Sequence, residues 1–225
     1  MIYLITERHR EMGGEYCMLK MITVTDPLTE SNCYILTEEK HCVVIDPGEA
    51  VRTPETLMKS GLKPELILLT HEHCDHMGGL AELRHSYPEA RFLATERCDC
   101  GIRSIKLNMS GIMGAYLYFR GKPGIHYDSF VCDAADEIIQ DDAVLQWRGH
   151  TLRLIPLPGH SPGSSGVMLD EDILFSGDYL LPGEEVILRF PGGDEEAYHR
   201  ETEPILKNLP KGIMICPGHG EKYVL

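Results

Sequence analysis

Histidine and carboxylate residues are concentrated in residues 70–79, which read THEHCDHMGG. They directly follow the apolar run at 66–69. A short run of branched apolar residues that ends in polar residues is typical of a buried strand opening into a loop at its carboxyl end. We therefore expect the polar side chains of this stretch to lie at the edge of a sheet.

The spacing of these residues favours metal binding. His71 and His73 lie two residues apart and point the same way from an extended chain, whereas Asp75 and His76 follow after a bend. One loop can thus present two pairs of ligands. Imidazole and carboxylate ligands suit Zn²⁺ first, with Fe²⁺ and Mn²⁺ as less favoured occupants. The alternative interpretation is a solvated loop that is rich in histidine.

Three more ligand candidates follow predicted strands further along the chain. His160 lies in the segment PGHSPG, Asp178 in SGD and His219 in PGHG. Each of these segments contains glycine, which lets the backbone approach an ion closely and frees the chain to aim a side chain. We expect these three side chains to lie on the same rim as the first cluster.

Apolar periodicity predicts strands in both halves of the chain. In the first half they lie at 21–24, 33–36, 42–45, 66–69 and 91–94, with an additional edge strand at 2–5. In the second half they lie at 143–147, 151–156, 165–169, 173–175 and 213–216. The three strands between 21 and 45 follow one another closely, which favours an antiparallel meander.

Helices are predicted at 53–60, 78–87 and 195–206, with Thr53 as the cap of the first and Pro54 in its first turn. The strand–helix–strand order around 66–94 favours a right-handed crossover with parallel pairing. Because the two halves share this order of elements, the sequence predicts a two-sheet α/β sandwich with helices outside. We expect one domain over residues 1–225, with 1–18 as an additional strand or a tail.

Composition restricts the partners of the chain. Its formal net charge is −14, from 35 acidic and 21 basic residues, which argues against nucleic acid or an anionic membrane. A small anionic substrate remains compatible, because bound metal ions supply local positive charge. The eight scattered cysteines and the absence of a signal-like N-terminus predict reduced thiols in a cytoplasmic protein. We expect a small-molecule substrate, and the oligomeric state stays open.

In combination, these motifs resemble the metallo-β-lactamase-fold hydrolase superfamily, and most closely its glyoxalase II branch. The matching segments are 32–34, 46–48, 70–76, 158–163, 176–178, 191–194 and 217–220. The resemblance implies an αββα sandwich of two mixed β-sheets with helices on the outer faces, an α/β (α+β) fold. It also implies that His71, His73 and His160 hold a first metal ion, that Asp75, His76 and His219 hold a second, and that Asp178 bridges them.

Two departures from the glyoxalase II pattern concern the substrate. Glyoxalase II proper adds a C-terminal helical domain that binds glutathione, whereas His219 lies near the end of this sequence, which predicts that the domain is absent. A shorter branch usually carries Gly-Arg-Thr-Asp before its Pro-Gly-Gly, whereas residues 186–189 read VILR. Arg189 is a candidate substitute for the usual arginine, and the thiol part of the substrate stays open.

The resulting hypothesis is a binuclear metal-dependent hydrolase in which a hydroxide between the ions attacks a carbonyl. A metal lowers the pKa of bound water from 15.7 toward ~7. Asp178 and Asp75 are the predicted catalytic carboxylates, and Asp75 orients the hydroxide. A thioester fits because its thiolate leaves with a pKa near ~8.5, so that no general acid is needed.

Three alternatives remain open. The same metals could serve a lactonase or a phosphodiesterase, and a phosphodiester would need a general acid, for which His126, Tyr127 and Tyr179 are candidates. A mononuclear iron persulfide dioxygenase would use His71 and His73 with Asp or His partners. A zinc-stabilised binding protein is less favoured, because structural zinc sites are usually closed and rich in thiolate.

Several other residues are assigned no metal-binding role. The remaining histidines are predicted to be surface or hydrogen-bonded residues: His9, His41, His85, His150 and His199. Alternation along the chain points Glu72 and Cys74 away from the metals. An aromatic cluster at 116–119 either lines a substrate pocket or covers the core.

Overall fold

The computed structural model describes residues 2–3, 8–12 and 15–225, with side chains from residue 18 onward. Its strands and helices form two sheets that pack face to face between helices. Residues 4–5 of the predicted edge strand lie outside the described residues. Within the described ranges no helix is long and apolar enough to span a membrane.

The first sheet contains eight strands among the described residues, in the order β1-β3-β4-β5-β6-β7-β8, with β2 also paired to β3. They are β1 Ile2–Tyr3, β2 Arg8–Met12, β3 Glu15–Thr25, β4 Asn32–Glu38, β5 His41–Ile45, β6 Lys63–Leu68, β7 Arg91–Thr95 and β8 Glu137–Ile139. Strands β3, β4 and β5 form the predicted antiparallel meander, and β5 to β8 pair in parallel. The sheet is therefore mixed.

The second sheet contains six strands among the described residues, in the order β14-β13-β12-β11-β10-β9. They are β9 Val144–Trp147, β10 His150–Pro156, β11 Ser165–Leu169, β12 Ile173–Gly177, β13 Met214–Pro217 and β14 Tyr223–Val224. All neighbours are antiparallel except β12 and β13, which pair in parallel. This sheet is mixed as well.

Alternation along buried strands divides their side chains between two cores. In β6, Leu66 and Leu68 join a cluster that includes Val167 and Phe175 of the second sheet, whereas Ile67 joins a cluster on the outer face. Successive side chains of a strand point to opposite faces, so a strand buried on both sides is apolar throughout. The inner cluster is the core of the sandwich.

Helices cover both outer faces. They are α1 Arg52–Ser60, α2 Cys74–Met77, α3 Leu80–Ser86, α4 Glu96–Ile102, α5 Met113–Phe119, α6 Glu195–Ala197 and α7 Glu203–Lys207, with a π-helical turn at Tyr198–Thr202. Leu57, Leu83 and Ile102 belong to the outer cluster of the first sheet, and Leu206 belongs to that of the second. The predicted αββα sandwich is confirmed.

Two helix predictions differ from the structure in detail. Helix α1 begins at Arg52, so Thr53 lies buried inside the first turn and does not cap it. The Glu49 carboxylate accepts hydrogen bonds from the amides of Val51 and Arg52 instead. The predicted helix at 195–206 contains the π-helical turn between α6 and α7, which pattern alone does not distinguish from an α-helix.

The predicted helix at 78–87 corresponds to α3, which begins two residues later at Leu80, and the short helix α2 before it was not predicted. Residues 78 and 79, between the two helices, pack against a neighbouring loop. A Cβ atom on Gly78 would lie 2.5 Å from the carbonyl oxygen of Gly48. The Gly79 amide donates a hydrogen bond to the Pro47 carbonyl over 2.7 Å. The turn at 46–48, which follows β5, therefore separates α2 from α3.

We expect Leu36→Ala to destabilise the sandwich core. Leu36 is fully buried in the inner cluster, and such a truncation costs about 2–5 kcal/mol of unfolding free energy. Urea denaturation of metal-free protein measures the loss, with Met58→Ala as the control. Met58 is 69% exposed, so its truncation should change stability by less than about 0.5 kcal/mol. Equal effects of the two variants would contradict the assigned core.

Candidate metal centre

The first of two ligand clusters joins residues from both sheets. His71 and His73 follow β6, whereas His160 and Asp178 follow β10 and β12. One potential ligand atom from each of these four residues lies within 4.8 Å of the others. His160 Nε2 is 3.0 Å from His73 Nδ1 and 3.4 Å from Asp178 Oδ2. The three imidazoles are buried, so this cluster is largely sealed from solvent.

The second cluster contains Asp75, His76 and His219 and is also shared between the sheets. Asp75 and His76 lie in α2, whereas His219 follows β13. His219 Nε2 is 3.4 Å from Asp75 Oδ2. The loop that carries His219 is joined to the start of β4 by a hydrogen bond from the Asn32 amide to the Gly218 carbonyl over 2.7 Å.

Asp178 lies between the two clusters. Its Oδ2 atom faces His160, whereas its Oδ1 atom is 3.1 Å from His76 Nε2 and 3.5 Å from His219 Nε2. The structure thus brings all seven predicted ligands to one rim, in two groups that meet at this carboxylate. Such an arrangement suits a carboxylate that contacts two ions.

Unpaired buried atoms test whether these residues fit metal ions. Buried polar atoms in folded proteins almost always have a hydrogen-bond partner. Four buried atoms of the two clusters make no hydrogen bond: His71 Nε2, His73 Nε2, His76 Nε2 and Asp178 Oδ1, of which the last two lie 3.1 Å apart. Nitrogen and oxygen atoms that converge without partners are the donor set that Zn²⁺ and related divalent ions accept. The residues present therefore fit divalent metal ions.

Asp46 orients ligand residues of both clusters. Its carboxylate accepts hydrogen bonds from the Thr70 amide over 2.7 Å and from the Thr70 hydroxyl over 2.6 Å. Asp46 Oδ2 is also 3.1 Å from His76 Nδ1, and the Thr70 hydroxyl is 3.1 Å from His71 Nδ1. A hydrogen bond to one ring nitrogen fixes the orientation of the other toward a metal. Sequence reasoning placed Asp46 only in a segment that matches the family, and missed this role.

His160 is held through both its side chain and its backbone. Its Nδ1 atom donates to the Ile187 carbonyl over 2.8 Å, which leaves Nε2 facing Asp178. Its backbone amide donates to the Tyr179 hydroxyl over 2.8 Å, and that hydroxyl donates to the Leu157 carbonyl over 2.6 Å. Burial also raises the pKa of Tyr179. Tyr179 therefore supports the His160 loop and is poorly suited to act as a general acid.

Burial controls the protonation of the first cluster. It lowers the pKa of His71, and together with the neighbouring His160 ring it lowers that of His73 to about 3. Neutral imidazole is the form that binds metal. For His76, burial also lowers the pKa, but the carboxylates of Asp178 and Asp75 outweigh it and raise the pKa overall. An ion at the second cluster therefore competes with a proton.

Aromatic side chains form a wall beside the first cluster. The Phe190 ring centroid lies 5.9 Å from that of His73 and 6.0 Å from that of His160, and Tyr116 packs on Phe190 at 5.8 Å. By contrast, Tyr118 and Phe119 are 62% and 84% exposed. Of the aromatic residues at 116–119, only Tyr116 contacts this wall, so neither sequence interpretation describes the whole cluster.

The remaining candidates belong to neither ligand cluster. His126 is exposed and lies 2.9 Å from the Asp128 carboxylate. Tyr127 packs at the edge of a buried cluster that includes Cys74. Arg189 lines a cavity of about 970 Å³ whose described lining residues include none of the seven ligands. The structure thus gives no support to Arg189 as a substitute for the usual arginine beside the metal ligands.

Comparisons with known proteins agree with this fold. The profile of the metallo-beta-lactamase superfamily matches residues 26–219. The chain is 31% identical over 193 residues to the probable metallo-hydrolase YqgX of Bacillus subtilis (strain 168), covering 85% of each chain. It is 29% identical over 194 residues to the hydroxyacylglutathione hydrolase GloC of Haemophilus influenzae, covering 85% of this chain and 86% of the other.

A solved structure extends the comparison to three dimensions. The crystal structure of the BLEG-1 B3 metallo-β-lactamase superposes with a TM-score of 0.76 at 27% identity, covering 92% of this chain and 94% of the other. The chain belongs to the metallo-β-lactamase superfamily. Its relatives include a probable metallo-hydrolase and a hydroxyacylglutathione hydrolase.

We expect Asp46→Ala to lower metal affinity by about 10–100-fold, the usual effect of removing a group that orients metal ligands. Thr70 and His76 lose their acceptor, so His71 and His76 lose their fixed orientations. Competition with a chelator measures the affinity. The matched control is Asp170→Ala, which removes the carboxylate 2.6 Å from His150 Nδ1 in the second sheet. Wild-type affinity in Asp46→Ala would contradict this role.

Proposed function

We propose that this protein is a binuclear metal-dependent hydrolase that cleaves thioesters or related esters. The observation that carries the proposal is the position of Asp178 between two ligand clusters. His71, His73 and His160 would hold one divalent ion, and Asp75, His76 and His219 would hold the other. Zn²⁺ is the favoured occupant of this imidazole and carboxylate set, with iron or manganese as alternatives.

Divalent ions, when bound, lower the pKa of water and polarise a carbonyl oxygen. The protein supplies the geometry for this chemistry. Asp178 joins the two clusters, and Asp75 offers a carboxylate to orient the nucleophilic water. Burial raises the pKa of Asp75, but His76 and His219 outweigh it and bring that pKa to about 2, so the carboxylate is ionised at neutral pH. An ionised carboxylate accepts a hydrogen bond from the water, and this bond keeps the lone pair of the water oxygen aimed at the substrate.

A thioester suits the acid–base groups around the site. The Tyr179 hydroxyl is held by Leu157 and His160, and the His126 side chain is 87% exposed. Neither is placed to protonate a leaving group, and burial raises the pKa of the Tyr127 hydroxyl, which makes this third candidate a weak acid. A thiolate leaves with a pKa near ~8.5 and needs no such proton, whereas an alkoxide does. The name of the relative GloC, a hydroxyacylglutathione hydrolase, supports the same substrate class.

The cysteines support a reducing compartment as the site of action. Seven cysteines have side chains that the structure describes, six of them are buried, and the structure assigns a disulfide to none of the seven. Reduced thiols are the rule in the cytoplasm. We therefore place the proposed hydrolase in the cytoplasm, with a small molecule as its substrate.

The first test combines metal content with turnover. Protein purified anaerobically without added metal should contain about two zinc ions per chain by mass spectrometry and should cleave a simple acyl thioester. The matched substrates are a lactone, a phosphodiester and a β-lactam, on which we expect lower kcat/KM. About one iron per chain, together with oxygen consumption when a persulfide is added and no thioester cleavage, would contradict the hydrolase and favour a persulfide dioxygenase.

We expect Asp178→Ala to lower bound metal and abolish turnover together, because both clusters lose the carboxylate between them. Metal analysis and thioester turnover of the same preparation measure both. The control is His41→Ala, which removes an imidazole 2.7 Å from Glu65 Oε1 and outside the two clusters. Full activity in Asp178→Ala would contradict the two-metal assignment.

A further inference from the structure

Glu72 lies between two ligand residues, yet its side chain belongs to neither cluster. Alternation along the chain sends it to the opposite side from His71 and His73, as the sequence predicts. Its side chain is fully buried. Within the described residues no cationic side chain pairs with it. Burial of an unpaired carboxylate is unfavourable unless hydrogen bonds compensate for lost water, so the partners of Glu72 decide its role.

The partners of Glu72 all come from the loop that carries His160. The Ser161 hydroxyl donates to Glu72 Oε2 over 2.8 Å. The Gly163 amide lies 3.3 Å from Oε1 and 3.2 Å from Oε2, so it donates to both carboxylate oxygens. Ser164 extends the network, since its hydroxyl accepts from the Ser161 amide over 3.1 Å and lies 2.8 Å from the Ser161 hydroxyl.

Two glycines let the surrounding backbone close around this carboxylate. A Cβ atom on Gly101 of α4 would lie 2.3 Å from Glu72 Cγ, and one on Gly163 would lie 2.6 Å from Glu72 Oε2. Real Cβ atoms do not approach other atoms so closely. The Glu72 side chain is thus held on two sides, and it cannot swing away without moving a helix or the His160 loop.

The connection concerns the first cluster and not the second. Glu72 is the chain neighbour of His71 and His73, and Ser161 is the chain neighbour of His160. One hydrogen bond between Glu72 and Ser161 therefore links the two segments that supply all three imidazoles of that cluster. The Glu72 carboxylate has no hydrogen bond to Asp75, His76 or His219 among the described residues.

We propose that Glu72 is a positioning residue, which sets the separation between the His71–His73 segment and His160 and thereby the affinity of the first metal site. Glu72 does not touch the ion or the substrate and acts through the Ser161 and Gly163 bonds. The inference rests on the two-ion centre of the proposed function. It is independent of which substrate that centre hydrolyses.

The rival explanation is that Glu72 stabilises the fold in general. The two roles differ in what Glu72→Ala does to each metal site. A positioning role lowers the affinity of the first site alone, by about 10–100-fold, which is typical when a group behind metal ligands is removed. A general loss of stability weakens both sites to the same extent, because both need the folded chain.

Apo protein titrated with Co²⁺ against a competing chelator gives the affinities. In a His219→Ala background only the first cluster keeps all its ligands. The ion that binds more tightly to this variant therefore gives the affinity of the first cluster. We expect Glu72→Ala to weaken that ion about 10–100-fold. Ser161→Ala should weaken it less, because the Gly163 amide still reaches Glu72. Glu72→Gln should recover part of the loss, because its amide oxygen still accepts from Ser161.

The matched control is Glu38→Ala. Glu38 is also a buried glutamate, 5% exposed, and it is the last residue of β4. The first residue of β4, Asn32, is the one that bonds to the loop carrying His219, so Glu38 lies at the end of the strand away from that ligand. Thermal unfolding of the apo proteins gives the loss of stability in each variant. If Glu38→Ala is destabilised as much as Glu72→Ala but keeps the affinity of the first metal site, the effect of Glu72 on that site is specific.

Three outcomes would overturn the inference. They are equal weakening of both sites in Glu72→Ala, first-site loss matched by Glu38→Ala, and unchanged first-site affinity in both Glu72→Gln and Ser161→Ala. Should Glu72→Ala fail to fold, Ser161→Ala and Glu72→Gln decide the matter. If the wild-type protein binds fewer than two ions, the two-ion centre of the proposed function is wrong. The titration of the wild-type protein alone reveals this failure, without any variant.

Discussion

The carboxylate of Asp46 is the point on which the metal centre depends. Asp46 follows β5 with a positive φ of 54°, and its carboxylate reaches the segment after β6, where it accepts hydrogen bonds from both the amide and the hydroxyl of Thr70. Through Thr70 it fixes the ring of His71, and directly it fixes that of His76. One side chain thus orients an imidazole in each cluster. The bonds are buried, where an unsatisfied acceptor or donor would be costly, so they are difficult to break one at a time.

Much of the fold was predictable because its strands are buried on both sides. A run such as 66–69 is apolar at every position, and the turns that follow such runs carry glycine beside the ligand. The carboxyl ends of neighbouring parallel strands meet at one edge of a sheet, so strand ends locate the site. Spacing within 71–76 indicated two pairs of ligands. The assignment of His160, His219 and Asp178 to these two groups came from the resemblance to a family.

The remaining features depend on contacts between distant parts of the chain. Nothing near Tyr179 in the sequence shows that its hydroxyl is held by Leu157 and His160, and it was therefore a reasonable candidate acid. Glu72 has the pattern of a residue that faces away from the metals, which is correct, but its bond to Ser161 spans 89 residues. The late start of α3, at Leu80 instead of residue 78, depends similarly on the backbone of Gly48.

Both ligand clusters combine residues from the two sheets. His71, His73, Asp75 and His76 follow the first sheet, and His160, Asp178 and His219 follow the second. Ions held at this rim would therefore act as cross-links between the layers, in the way that a disulfide joins two strands. The unfolded chain cannot form such links, so their formation would coincide with docking of the sheets. Local opening of the sandwich should then begin at the opposite end of its strands, and chelation would free the rim to open as well.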